Sequence, residues 1–453
     1  MDELENMLNI RIQRTSNFSK VNYEIKITTE TPVNAQQFPN MDFNFKKIDI
    51  VCSEVELDSF FKINNEIKEI CKNIEKLKSR FFVRFVFDKC YIKFWNENIN
   101  LDSHIEFNEC KINVNVQDVN IDEIYLKTQN FQNCNFENLS LLSGEVKTVH
   151  IDLINASINL FQIVIMEISD NKANKIAIRN SKINQIMIQK AVIKMNFVIH
   201  ASTVNTITIK DVYFESLSAF NEVIFQDKFG FHEVTYKGLT LFDKCVFNTN
   251  AEFEYIFFEK FASFRGTTFN RGLNLDYTSS DKDINFFGIK GLESKESKAN
   301  TSQETYRSIK HNLEKIGNKI DANKYHTLEL DQKRKELKEN KWKNKKEYVV
   351  FWLHNLSSEH STNWFLALCW IFFVGILTVF FLHLDIAKDL VFHPEHFKGE
   401  YFAKLFDQVL KFIYIGNMED ELKTHPLIFL LNKVSLGYLY YQFLTAVRKD
   451  TRK

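Results

Sequence analysis

Residues 151–200 read IDLINASINLFQIVIMEISDNKANKIAIRNSKINQIMIQKAVIKMNFVIH, and in them Leu153, Ile158, Ile163, Ile168, Ala173, Ile178, Ile183, Ile188, Ile193 and Val198 fall on one unbroken five-residue step. A period of five fits neither an amphipathic helix, which repeats at about 3.6, nor a half-buried strand, which repeats at about 2. It fits a solenoid whose chain turns a corner every five residues and sends one large side chain inward on each side. On either flank the pattern F-x-x-C-x-[F/I] recurs: Phe87, Cys90, Ile92; Phe107, Cys110, Ile112; Phe131, Cys134, Phe136; and Phe242, Cys245, Phe247. Phe253 and Phe258, then Phe264 and Phe269, keep the same spacing with a one-residue slip between the pairs. Charged residues among them, such as Lys182 and Lys190 or Asp211 and Glu215, alternate with apolar ones and read as solvated faces.

This pattern resembles the pentapeptide-repeat proteins. The resemblance implies a right-handed parallel β-helix of square section, with four five-residue sides per coil. It also implies a Phe or Leu at the central inward position and a small residue two places earlier, where Cys90, Cys110, Cys134 and Cys245 stand. With about 20 residues per coil and about 4.8 Å between stacked strands, residues 81–290 are expected to form a rod of roughly 50 Å. The chain departs from the family in preferring Ile to Leu across 150–200 and in losing phase around 92–107 and 136–153, where bulged coils are expected. No C-x-x-C pair, zinc-type Cys/His spacing or adjacent basic activator accompanies the cysteines, so they read as inward packing residues and no metal or cofactor is expected.

The other decisive stretch is WFLALCWIFFVGILTVFFLHL at residues 364–384, uncharged to its end. At about 1.5 Å per helical residue it spans roughly 30 Å, the thickness of a hydrocarbon core. Residues 426–447, PLIFLLNKVSLGYLYYQFLTAV, read as a second span, and 448–453 as a basic tail. Asn432, Lys433, Ser435 and Gln442 lie inside that span. Asn432, Ser435, Leu439 and Gln442 are spaced by three, four and three and share one helical face. Polar groups in lipid are costly, so this face predicts a partner helix or a lumen, with helix packing the stronger reading. Between the spans, residues 385–425 carry the stripe Phe402, Leu405, Phe406, Val409, Leu410 and Ile413, followed by Gly416 and Asn417 as a candidate re-entrant turn. Ahead of the first span, Lys333, Arg334, Lys335, Lys338, Lys341, Lys343, Lys345 and Lys346 crowd together, and Tyr348, Val349, Phe351, Trp352 and Leu353 make an amphipathic approach within 341–363. By the positive-inside rule both termini of a multi-pass protein are expected in the cytoplasm, and the resemblance implies that the membrane is a bacterial inner membrane. His354 and His360 read as interfacial, because no third metal ligand accompanies them.

The remaining segments fill in the order. Residues 1–80 read as a small α/β cap with an amphipathic helix through Phe60, Ile63, Ile67, Ile70, Ile74 and Leu77. The opening MDELENMLNI lacks a basic segment followed by an apolar core, so no cleavable signal peptide is expected and the cysteines are expected to be reduced. Residues 291–302 read as a polar linker, and 303–340 as a helical hairpin turning at Gly317 and Asn318. The hairpin residues 306–337 and the SSEHSTNW of 357–364 resemble segments that join pentapeptide-repeat domains to membrane helices in one group of bacterial membrane proteins.

The 58 basic and 58 acidic residues balance, which argues against a nucleic-acid partner. No P-loop, G-x-S-x-G or H-E-x-x-H motif is present, so no enzyme and no catalytic residue is expected. The sequence thus predicts a β-solenoid on a two-span helical anchor, with the bilayer and an unidentified protein as partners. The rival expectation is a homo-oligomeric, channel-like or membrane-perturbing effector gated by the solenoid, as in defence against phage. The order span, amphipathic helix, IYIGN, span resembles two-span cation channels, although Gly416 alone does not supply a carbonyl-lined filter.

Overall fold

The computed structural model describes residues 23–30, 45–53, 56–57, 60–77, 81–96, 98–101, 105–117, 121–168, 174–339, 345–382, 399–416 and 425–451. The chain divides into two compact units, Met1–Thr305 and Tyr306–Lys453.

The first unit is a parallel β-solenoid of about eight turns. Its inward column runs in register through Phe136, Ile158, Ile183, Val204, Phe225, Phe247 and Phe269. Successive partners are 21 to 25 residues apart, so the coil is longer than the expected 20. The reason is visible from Phe220 onward. The buried residues Phe220, Phe225, Phe231, Tyr236, Phe242, Phe247, Phe253, Phe258, Phe264 and Phe269 alternate steps of five and six, which makes a 22-residue coil. The five-residue sides turn through a residue in the left-handed region: Glu222, Glu233, Lys244, Tyr255 and Gly266, with φ of 56°, 57°, 54°, 56° and 68°. Such a residue reverses the chain tightly, and the six-residue sides, which contain none, take one residue more.

The F-x-x-C pattern marks these corners. Lys89, Glu109, Asn133 and Lys244, each just before its cysteine, have φ of 54°, 51°, 52° and 54°. The thiol then donates to the neighbouring coil: Cys110 Sγ to the Phe87 carbonyl at 3.1 Å, Cys134 Sγ to that of Phe107 at 3.3 Å and Cys245 Sγ to that of Phe220 at 2.7 Å. At the equivalent place in other coils, Thr267 donates to the Phe242 carbonyl, and Ser181 and Ser202 accept backbone N–H bonds at 3.0 Å. A small, weakly polar side chain is what the corner requires, and Cys, Ser and Thr all meet it. Above them the rings stack coil on coil, Phe220 on Phe242 at 5.0 Å, Phe242 on Phe264 at 5.2 Å and Phe264 on Phe286 at 5.5 Å, so one Phe per side repeats at nearly the strand spacing. A register shift between Phe136 and Asn138 lies in a stretch expected to be irregular, and a second between Val204 and Thr206 has no counterpart in the sequence reading.

Both ends of the stack are closed. Strand Phe45–Ser53 lies parallel on Phe81–Asp88, so the solenoid begins inside the segment read as a cap, and Tyr23–Glu30 pairs antiparallel on its outer edge. Helix α1 (Phe60–Leu77) sets the Phe60 ring 5.3 Å from those of Phe87 and Phe94 and 5.2 Å from that of Phe107, plugging the core. At the other end, the stretch read as a polar linker is a second lid. It contains helix α2 (Lys295–Asn300) and leads into α3 (Gln303–Lys315). Its polar side chains meet the open edge of the last coil. Ser297 Oγ donates to the Phe269 carbonyl at 3.2 Å, and Thr301 and Thr305 accept from the N–H groups of Leu273 and Leu275 at 3.2 and 2.9 Å. An uncovered sheet edge would leave those groups unpaired and open to other chains.

The second unit is helical. The latter part of α3 and helix α4 (Lys319–Glu339) meet at Gly317 (φ 80°), burying Tyr306, Ile309, Leu313, Tyr325 and Leu328. Buried Glu329 on α4 receives Arg307 at 2.9 Å and Lys310 at 2.8 Å. Helices α5 (Lys345–Ser358), α6 (Trp364–Leu382), α7 (Gly399–Ile413) and α8 (Pro426–Thr451) follow.

Candidate membrane hairpin and its polar seam

Among the described residues one helix, α6, is long and apolar enough to cross a membrane. Helix α8 is longer, at 26 residues, but Asn432, Lys433, Ser435 and Gln442 lower its apolar content, so the second span of the sequence reading does not stand on composition. Helix α6 buries one stripe, Ala367, Ile371, Gly375, Thr378 and Val379. The rest of its surface, including Phe365, Phe373, Ile376, Phe380 and Phe381, is exposed and apolar.

The structure places the sequence-predicted polar residues as follows. Asn432 is buried, and its Nδ2 donates to Thr378 Oγ1 of α6 at 2.8 Å. Thr378 in turn donates to the Val374 carbonyl at 2.8 Å. Gln442 is buried ten residues further along α8, and Ser435 between them is half-buried. On the same face, Leu436 and Leu439 join Ile371, Val379, Val409, Phe412 and Ile413 in a shared apolar cluster. The opposite face of α8, with Leu430, Val434, Tyr441 and Leu444, is exposed. Lys433 stands apart from the seam. Its Nζ donates to the Tyr414 carbonyl at 3.2 Å, just past the end of α7. Tyr440 donates to the Ile413 carbonyl at 3.3 Å, so two side chains of α8 satisfy the free carbonyls at the C-terminus of α7.

That end of α7 lies well inside the hairpin. A Cβ added at Gly375 would meet Ile413 Cγ1 at 2.8 Å and Val409 Cγ1 at 3.2 Å, so the absence of a side chain is what lets α7 approach α6. Gly375 is eleven residues into α6, about 16 Å along its axis. Gly416, one of the two candidate turn residues, follows in an exposed position against its own neighbour Tyr414. Asn417, the other, lies outside the described residues.

One cluster escaped the sequence reading. Glu359, His360 and Ser361 have φ of 46°, 61° and 62°, three successive side-chain-bearing residues in the left-handed region. This turn folds the chain back between α5 and α6, and His360 is fully buried in it (0% exposed). Its Nδ1 lies 3.1 Å from Nδ1 of His354, His354 Nε2 lies 3.1 Å from Ser361 Oγ, and Ser358 and Ser361 both donate to Gln442 Oε1, at 2.9 and 2.6 Å. Gln442 therefore docks α8 on the α5–α6 turn. Burial above all, with His354, Arg334, His326 and Lys449 nearby, holds His360 down to about 4; burial and Lys449 likewise hold His354 low. Only the histidine spacing was visible in sequence, and nothing in it signals a left-handed turn.

Burial pushes the Cys52 thiol up to about 12 and raises that of Cys245 as well, the reverse of an activated nucleophile, whereas the hydrogen bond between Cys110 and Cys134 pushes the Cys110 thiol up to about 12 and lowers that of Cys134. Among the described residues no group of three or more His, Cys, Asp or Glu side chains is arranged to hold a metal ion. On the solenoid's flank an open groove of about 500 Å³ is lined by polar side chains, among them Glu137 and Lys182. Along it Asn205, Asn184 and Asn159 form a ladder of amide bonds at 3.1 and 3.0 Å.

Fold and site together define a β-solenoid protein carrying a helical unit with one membrane-length apolar helix. Comparison with protein-family models, with curated proteins and with solved structures finds no match to this chain.

Proposed function

We propose that the protein is a non-enzymatic, pentapeptide-repeat-like solenoid fixed to the inner face of a bacterial membrane, where it serves as a protein-recognition or sensing surface. Both α6 and α8 cross the bilayer, and both termini lie in the cytoplasm. The observation that carries this reading is the sidedness of the hairpin. The polar groups Thr378, Asn432, Ser358 and Gln442 turn inward and are bonded to one another, while Phe365, Phe373, Val434, Tyr441 and Leu444 cover the outside. Water would disfavour that outer surface, and lipid would not. The Asn-lined groove is the polar surface offered to a protein partner. Alkaline carbonate extraction of membranes from expressing cells is expected to leave the chain in the pellet, and release into the supernatant would contradict the anchor.

A second reading rests on a separate observation, the C-terminus of α7 ending about 16 Å along α6 with its carbonyls capped by Lys433 and Tyr440. Such a re-entrant helix suits a homo-oligomeric channel or membrane-perturbing effector gated by the solenoid, with phage defence as its setting. Gln442→Leu separates the two. An interhelical hydrogen bond in a bilayer contributes roughly 0.6 to 2 kcal/mol, so the anchor reading expects looser α5–α8 packing with insertion intact. The channel reading expects altered conductance in planar bilayers and, in detergent, a stoichiometry above one.

A further inference from the structure

The hydrogen-bond chain at the α5–α6 turn has a direction. With the Ser358 and Ser361 hydroxyl protons both given to Gln442 Oε1, Ser361 Oγ accepts from His354 Nε2–H. His354 Nδ1 is then the acceptor of His360 Nδ1–H at 3.1 Å. This leaves His360 Nε2 as a bare lone pair, and it has no hydrogen-bond partner among the described residues. The pair therefore holds two neutral rings in complementary tautomers. A first added proton would sit on His360 Nε2 as a buried N–H with no acceptor bonded to it, and a second would set N–H against N–H across the 3.1 Å contact.

We propose that His354 and His360 form a proton-binding site, which locks the α5–α6 turn onto α8 when neutral and releases it when protonated. A proton would enter at His360 Nε2. From α4 that atom faces Asp331 Oδ1 at 3.9 Å, but Arg334 already engages the same oxygen at 3.4 Å. His326, also on α4, adds a titratable ring nearby. From α8, Lys449 Nζ donates to the His360 carbonyl at 3.4 Å, and from α5 come His354 and the Phe351 ring, 6.3 Å away. Two cations, one carboxylate already paired and a neutral neighbour give an imidazolium little compensation for its burial. The left-handed run at 359–361 is held by the same contacts, so its strain favours opening once they weaken.

The sign of the effect follows. His360 sits at about 4 in the closed turn and near its ordinary 6.5 when exposed, so the closed turn is favoured above pH 6.5 and loses stability as pH falls towards 4. Full exposure on opening makes the opening equilibrium about 30-fold more favourable at pH 5 than at pH 7.5.

Hydrogen–deuterium exchange on the full chain in detergent reads this directly, with rates corrected for intrinsic exchange at each pH. A peptide covering 354–363 should lose protection by about that factor between pH 7.5 and 5. A solenoid peptide covering 242–258 should not. His360→Gln keeps a donor and an acceptor without titrating and should flatten the response. Should that variant fail to fold, His360→Asn, which likewise offers a donor and an acceptor and does not titrate, takes its place. Protection at 354–363 that tracks the solenoid peptide across the range overturns the proposal, as does a full pH response in the folded non-titrating variant.

Discussion

Ile183→Asp is expected to unfold the central coils, at a cost of about 4 kcal/mol or more, whereas Lys182→Asp next to it costs under about 1. Ile183 is buried between Ile158 and Val204 in the inward column, where a carboxylate has no cation and no water. Lys182 lies on the outer surface between Ser157 and Thr203 and keeps its solvent. Because neighbouring coils stabilise one another, the loss should spread along the stack rather than stay in one turn. Urea unfolding of the detergent-solubilised chain, followed by far-ultraviolet circular dichroism, measures both. Similar losses for the two variants would contradict the register.

Phe242→Ala should cost about 3 to 5 kcal/mol. The Phe242 ring has those of Phe220, Phe264, Phe253 and Phe231 at 5.0, 5.2, 5.2 and 6.0 Å, so truncation opens a cavity in the middle of the aromatic column. Rigid coils above and below limit how far the site can collapse. Phe261→Ala is the control: that ring is 40% exposed, and its loss should cost under about 1 kcal/mol. Equal midpoints in the same denaturation assay would mean that the aromatic stack does not hold the coils.

The solenoid was legible because its core is built from large apolar residues, mostly Ile and Phe, at a nearly constant step. Its true period was also present in the sequence, as the slip between Phe258 and Phe264. That slip is the six-residue side that recurs in each coil from Phe220 onward, and a strict five-step hides it. Across 151–200 the five-step ends at Val198, which is only half-buried, while Phe197 and Ile199 on either side are buried. Dense β-branched residues let an incorrect phase look unbroken. The second lid was not legible, because Ser297, Thr301 and Thr305 close the stack through hydrogen bonds and leave no apolar period to read. The polar seam of α8 could be read from spacing, since Asn432 and Gln442 repeat at helical intervals. Their partners Thr378, Ser358 and Ser361 could not, because a contact across 54 to 84 residues leaves no local pattern.

The proposed anchor crosses a membrane twice, a topology that reporter fusions in a bacterial host read out. A pair of reporters, one active only in the cytoplasm and one only outside it, is fused before Met1, near Phe397 and after Lys453. A cytoplasmic signal is expected at both ends and an external signal near Phe397. An external signal after Lys453 would mean that α6 or α8 does not cross, and a cytoplasmic signal at all three positions would contradict the membrane hairpin altogether.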